Sequence, residues 1–148
     1  MDRRELLQVG LTAIAGTAIG TDAHATSQAP AAPASPSKPL GVHPLSGPFE
    51  GWTGTLLEVN YAPGQVSASH QHPGPTFGYV VRGSIKWAID GQPAKTLTAG
   101  QTFFEPLGSV HSTSANASAT EPAVISVVIV GKTGEPLSKP ATATPRTP

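Results

Sequence analysis

Between residues 53 and 130 short apolar runs alternate with polar breakers, and their rhythm sets the first structural expectation. The runs are 53–61, 65–72, 76–82, 84–89, 94–97, 102–105, 110–114 and 123–130. Turn signals recur about every 8 to 12 residues, as in an all-β sandwich or barrel. Pro63-Gly64 fits a type II turn and Asp90-Gly91 a two-residue hairpin turn, while Ala99-Gly100 and Pro106-Leu107-Gly108 mark further corners. Residues 124–130 are nearly all β-branched, which predicts a strand buried on both faces. No stretch of this region has helical periodicity, so the predicted fold class is all-β, a small jelly-roll β-barrel able to enclose a ligand cavity.

The ends of the chain differ in composition. Asp2, Arg3, Arg4 and Glu5 open a charged segment, a weakly apolar stretch follows from Val9 to Gly20, and Ala23-His24-Ala25 offers a cleavage site. Arg3-Arg4 with Leu6-Leu7 resembles a twin-arginine export signal, so residues 1–25 are expected to be a signal peptide and the protein periplasmic or extracellular. A membrane anchor would need about 20 apolar residues, more than this run supplies. Residues 26–46 are rich in Ala, Pro and Ser and read as a disordered linker, residues 47–131 as the folded domain, and residues 132–148 as a Pro-rich disordered tail.

Charge and cysteine content narrow the function. Setting aside Arg3 and Arg4, and Asp2, Glu5 and Asp22, seven basic residues face six acidic ones with no run of either sign. No nucleic-acid footprint or membrane-binding patch is expected, and the partner is expected to be a small molecule. The absence of cysteine excludes disulfides, thiol nucleophiles and iron–sulfur clusters. No nucleophile elbow or phosphate loop is present, so hydrolase and phosphotransfer readings find no support.

The chemistry concentrates on histidine. Of the five in the chain, His70 and His72 stand two apart in one predicted strand and His111 follows the Pro106-Leu107-Gly108 corner. Residues i and i+2 of a strand share a face, so His70 and His72 can aim two imidazoles at one point. Neutral imidazole is a common metal ligand, and three with an open position make a catalytic type of site. Glu58 and Glu105 are the acids weighed for a proton shuttle, with Glu105 favoured because it lies beside the His111 segment; the solvent face is the default for both. One of Phe103 and Phe104 must face inward, Phe77 and Tyr79 should point away from the cavity, and Trp52 and Trp87 read as core or interface anchors.

These residues resemble the two motifs of the cupin superfamily. Gly64, His70, His72 and Gly83 keep the first motif's spacing, with Thr76 where a glutamate is usual. Gly100, Pro106, Gly108 and His111 keep the second, with Asn116 one position late and Ala115 in the asparagine's place. The resemblance covers about residues 49–131 and implies a small single-domain barrel that pairs as a homodimer. It also implies one divalent metal ion held by His70, His72 and His111, with iron first and manganese, zinc, nickel or copper as alternatives. Thr76 would then orient a bound water or oxygen, and Glu105 is the candidate acid or base. Three-histidine cupins of this superfamily include dioxygenases that bind thiolate or enolate substrates. The expected function is therefore a dioxygenase acting on a small anionic chelating substrate. A non-redox isomerase or lyase, and a non-catalytic binding protein with a degenerate site, are the alternatives.

Overall fold

The computed structural model describes residues 35–141, and the signal-peptide expectation for 1–25 lies outside them. Two antiparallel sheets face each other. The first has the order β1 (Ser37–Pro44), β2 (Trp52–Tyr61), β10 (Ala123–Lys132), β5 (Thr76–Arg82), β8 (Thr102–Glu105). The second has the order β11 (Lys139–Pro140), β4 (His70–Gln71), β9 (His111–Asn116), β6 (Ser84–Ile89), β7 (Lys95–Thr98), with β3 (Val66–Ser67) also pairing with β9. Among the described residues no helix is long and apolar enough to cross a membrane. The all-β barrel expected from the turn rhythm is the fold observed.

The turns behave as their residues require. Asp90 and Gly91 both take positive φ, 52° and 68°, which matches the right-handed twist of the β6–β7 hairpin. Gly78 has another reason to lack a side chain: a Cβ there would collide with the tip of the Phe103 ring, which lies over it from the paired strand. That ring belongs to a core formed by Leu57, Val80, Ile85, Ile125, Val127 and Ile129 among others, where the two inner faces meet.

Three expectations are corrected. The 26–46 linker reading fails from Ser37 onward, because β1 pairs with β2 from Ser37 opposite Val59 to Pro44 opposite Thr53. The 132–148 tail reading fails where Lys139 and Pro140 pair with Gln71 and His70. Both strands are edges, where proline is tolerated because one row of N–H groups needs no sheet partner. Strand β10 is not buried on both faces: Ile125, Val127 and Ile129 point into the barrel while Val128 and Val130 are only half-buried. It is central within its sheet, between β2 and β5, yet the sheet's outer face has no layer over it among the described residues.

Candidate metal centre

His70 and His111 sit directly opposite one another on β4 and β9, and His72 follows two residues after His70. The ring centroids of His70 lie 4.9 Å from those of both His72 and His111. One ring nitrogen from each of the three lies within 4.8 Å of the others. Backbone carbonyls fix two of the rings. His70 Nδ1 donates to the Ala68 carbonyl at 2.8 Å and His72 Nδ1 donates to the Leu137 carbonyl at 2.7 Å. A carbonyl oxygen can only accept, so Nδ1 carries the hydrogen in each neutral ring and Nε2 keeps its lone pair free.

His111 is held differently. It is buried, with 4% of its surface exposed, and neither ring nitrogen has a hydrogen-bond partner. Burial, reinforced by the charges of His70 and His72, pushes its pKa down to about 3. Burial likewise lowers the pKa of His72, against the pull of the Leu137 carbonyl. Desolvated neutral imidazoles with free lone pairs and an orphaned buried ring suit a divalent cation.

A bulge aligns the neighbouring positions of β9. Across the β6–β9 pair, Ala88 opposes Thr113 and the next residue, Ile89, opposes His111, so Ser112 is an extra residue on β9. His111 and Ser114 are an odd number apart and are both buried. Asn116 shares the inward face with Ser114, and its side-chain amide donates to the carbonyls of Tyr61, Ala62 and Glu121. The asparagine that is one position late along the chain thus occupies a structural corner, and Ala115 does not take its place.

Glu105 departs most from its expectation. Its default was the solvent face, yet it is 3% exposed and aims into the barrel on the same face of β8 as Phe103. Its Oε1 lies 3.1 Å from His111 Nδ1 and its Oε2 lies 3.8 Å from His72 Nε2. The Trp87 indole donates to Oε1 at 3.4 Å. Burial raises the Glu105 pKa to about 7, with the Trp87 hydrogen bond opposing. Thr76 is directly opposite Glu105 in the β5–β8 pair and fully buried, and its hydroxyl donates to the Gly74 carbonyl at 3.4 Å. It is not part of the cavity wall. Glu58 lies away from the cavity beside Asn60, whose side-chain amide donates to it at 3.2 Å.

The histidines and Glu105 border a cavity of about 340 Å³. Leu57, Phe103, Val127 and Ile129 give it apolar walls, and Leu137 and Lys139 border it from the C-terminal segment. Phe103 is the inward aromatic, whereas Phe77, Tyr79 and Phe104 are exposed. Tyr61 and Leu137 are site residues that the sequence reading missed. Tyr61 lines the cavity, its hydroxyl shares a 2.6 Å hydrogen bond with the buried Ser114, and burial raises its pKa. Parity offered one available signal: once Phe103 faces inward, Glu105 must do so too.

Residues 57–130, half of the chain, match the cupin domain family. The chain belongs to this family. No curated protein matches the cupin by sequence. Among solved structures, a Klebsiella pneumoniae protein with a double-stranded β-helix domain is 19% identical over 69% of this chain and 81% of its own, with a TM-score of 0.56. A cupin-like protein from Thermotoga maritima is 24% identical over 71% of this chain and 74% of its own, with a TM-score of 0.55. The DMSP lyase DddQ from Ruegeria pomeroyi is 19% identical over 70% of this chain and 50% of its own, with a TM-score of 0.51. Likeness at these identities establishes the barrel, and the chemistry must be argued from this cupin's own residues.

Proposed function

We propose that this cupin is a metal-dependent dioxygenase acting on a small anionic molecule that chelates the metal. The observation that carries the reading is the convergence of His70, His72 and His111 on one point at the wall of an apolar cavity. Ferrous iron held there would supply open coordination positions and a redox-active centre through which electrons of the bound substrate can reach dioxygen. Both oxygen atoms enter the substrate in such a reaction, so no outside reductant is needed.

The chain's own residues favour a substrate with a charged head and an apolar body. Neutral imidazoles leave the ion's positive charge uncompensated on their side, which draws an anionic head toward them. Leu57, Val127, Ile129 and Phe103 exclude water from the body of the ligand. Tyr61 lines the same cavity and brings its hydroxyl there for a polar substituent. Thr76, turned to Gly74, is assigned no catalytic part in this reading.

The test combines metal analysis of protein purified from its native host with oxygen-electrode measurements on β-diketones, thiols and flavonols. Iron in the protein together with oxygen uptake is expected. Protein that holds no iron and consumes no oxygen with any of these compounds would overturn the dioxygenase reading. Pairing as a homodimer belongs to the same proposal, supported by the exposed Phe77, Tyr79, Val81 and Phe104 on the outer face, and sedimentation of the purified chain tests it.

A further inference from the structure

The cavity has a second polar region besides the histidines, bordered by Tyr61, Ser67 and Ser35. The Tyr61 hydroxyl, on a residue only 4% exposed, shares its 2.6 Å hydrogen bond with Ser114. Ser35 and Ser67 share another of 2.7 Å, and the Gln65 side-chain amide donates to Ser35 at 3.1 Å. The Ser114, Ser67 and Ser35 hydroxyls all oppose the upward push of burial on the Tyr61 pKa, so the three gather around its oxygen.

A count of hydrogens shows what this cluster can still do. Each hydroxyl carries one hydrogen and accepts at two lone pairs. The two mutual bonds use two of the four hydrogens, and among the described residues nothing accepts the other two. Either oxygen of each pair can be the donor, so Tyr61 can offer the cavity a hydrogen or a lone pair. A ligand hydroxyl, which both donates and accepts, matches such a group, and a buried polar group calls for a partner of this kind.

Strand register sets the distance between the two polar regions. Ser67 opposes Ser114 in the β3–β9 pair and His70 opposes His111 in the β4–β9 pair, three residues further along. At the rise of a strand these regions stand on the order of 7–10 Å apart. The cavity's other walls include Leu57, Val127, Ile129 and the Phe103 ring. Charge separates the regions as well. Among the described residues Lys139 is the one lysine or arginine bordering the cavity, and it pairs with Gln71, between His70 and His72. The hydroxyl region offers neutral groups, so an anionic head belongs at the histidines.

We propose that Tyr61, Ser67 and Ser35 form a subsite for a ligand hydroxyl, and that the molecule this cupin takes is a hydroxyphenyl acid, with its chelating head at the histidines and its phenol at Tyr61. This rests on the proposed metal-chelating substrate and narrows its class. A phenyl ring is a rigid apolar body that holds the two polar ends at a fixed separation, so little conformational freedom is lost on binding. A second carboxylate in place of the phenol would lie among neutral groups without a cation, which disfavours dicarboxylates.

Binding to protein loaded with a redox-inert ion tests the assignment without turnover. Full-length wild type, Tyr61→Phe, Ser67→Ala and a His70→Ala/His72→Ala control would be incubated with Zn(II) and their zinc content measured. Each would then be titrated by calorimetry with 4-hydroxymandelate and with mandelate, which differ by one phenolic hydroxyl, and far-UV circular dichroism would check each fold. Wild type should bind 4-hydroxymandelate about tenfold more tightly than mandelate, the usual contribution of a hydrogen bond. Tyr61→Phe should erase this preference by weakening 4-hydroxymandelate alone. Ser67→Ala, which leaves the Tyr61–Ser114 pair in place, should reduce it. Zinc-loaded wild type that binds the two compounds equally, or binds neither, would overturn the subsite. So would full preference in Tyr61→Phe or, where that protein does not fold, in Ser67→Ala. Wild type that takes up no zinc, or a His70→Ala/His72→Ala control that binds both compounds as wild type does, would instead overturn the metal reading on which the subsite rests.

Discussion

The two halves of the candidate site are held by different means. His111, Glu105 and Phe103 lie on β9 and β8 and are buried, so barrel packing fixes them. His70 and His72 are only partly buried, on and just after a two-residue strand near the sheet's edge. Their rings are oriented by carbonyls, one of them from Leu137 in the C-terminal segment. The buried half is set by the global fold and the open half by a few local hydrogen bonds. Changes in the first should therefore affect stability and binding together, and changes in the second should affect binding far more.

His111→Ala should produce the largest effect, abolishing stoichiometric metal uptake as read by elemental analysis. Phe103→Ala comes next: loss of this aromatic from a packed core should cost about 3–5 kcal/mol in denaturant unfolding. The exposed Phe104 should cost well under half of that, and equal losses would mean that the inner and outer faces of β8 are not distinct.

The pH response of the metal-free protein follows from Glu105. Its carboxyl ionises at about 7 in the fold against 4.5 for the ordinary side chain, so the folded state holds an extra proton between those values. Its contribution then lowers stability as pH rises from 4.5 toward 7, and the cost is complete at higher pH. Glu105→Gln should therefore stabilise metal-free protein by roughly 3 kcal/mol at about pH 8 and leave it nearly unchanged at about pH 4. Unfolding curves at the two pH values check this, and a stabilisation of the same size at both would show that charge burial is not its cause.

The smallest effect is expected in the open half and gives the sharpest test of the comparison. Ending the chain after Lys132 removes the Leu137 carbonyl from His72 and strand β11 from β4. Metal affinity should fall about 10–100-fold, the usual cost of losing a partner that orients a ligand. The thermal midpoint should move by only a few degrees. A truncated protein that bound metal at full strength would show that the open half needs no such support.

The same division explains what could be read from sequence. The core strands were legible because alternation, positive-φ glycines and the Asp90-Gly91 turn are local signals carried by side-chain type. The three histidines were legible because their spacing on strands decides where they point. Strands β1 and β11 were hidden by Pro39, Pro44 and Pro140, since composition cannot distinguish an edge strand from a linker. Leu137 acts through its backbone oxygen, which no side-chain pattern records. Glu105 was hidden because a glutamate on a strand faces solvent by default, and only the inward turn of Phe103, two residues before it, reverses that.

The bulge at Ser112 separates two ways of measuring a motif. Counted along the chain, Asn116 is a residue too far from His111; counted across the sheet, the extra residue is absorbed before Ser114 and the asparagine meets its corner. A one-residue deletion at the bulge would bring the asparagine to the usual motif spacing while leaving its orientation unchanged. Spacing along the chain and position across the sheet are therefore separate quantities at this point of β9, and the internal geometry follows the second.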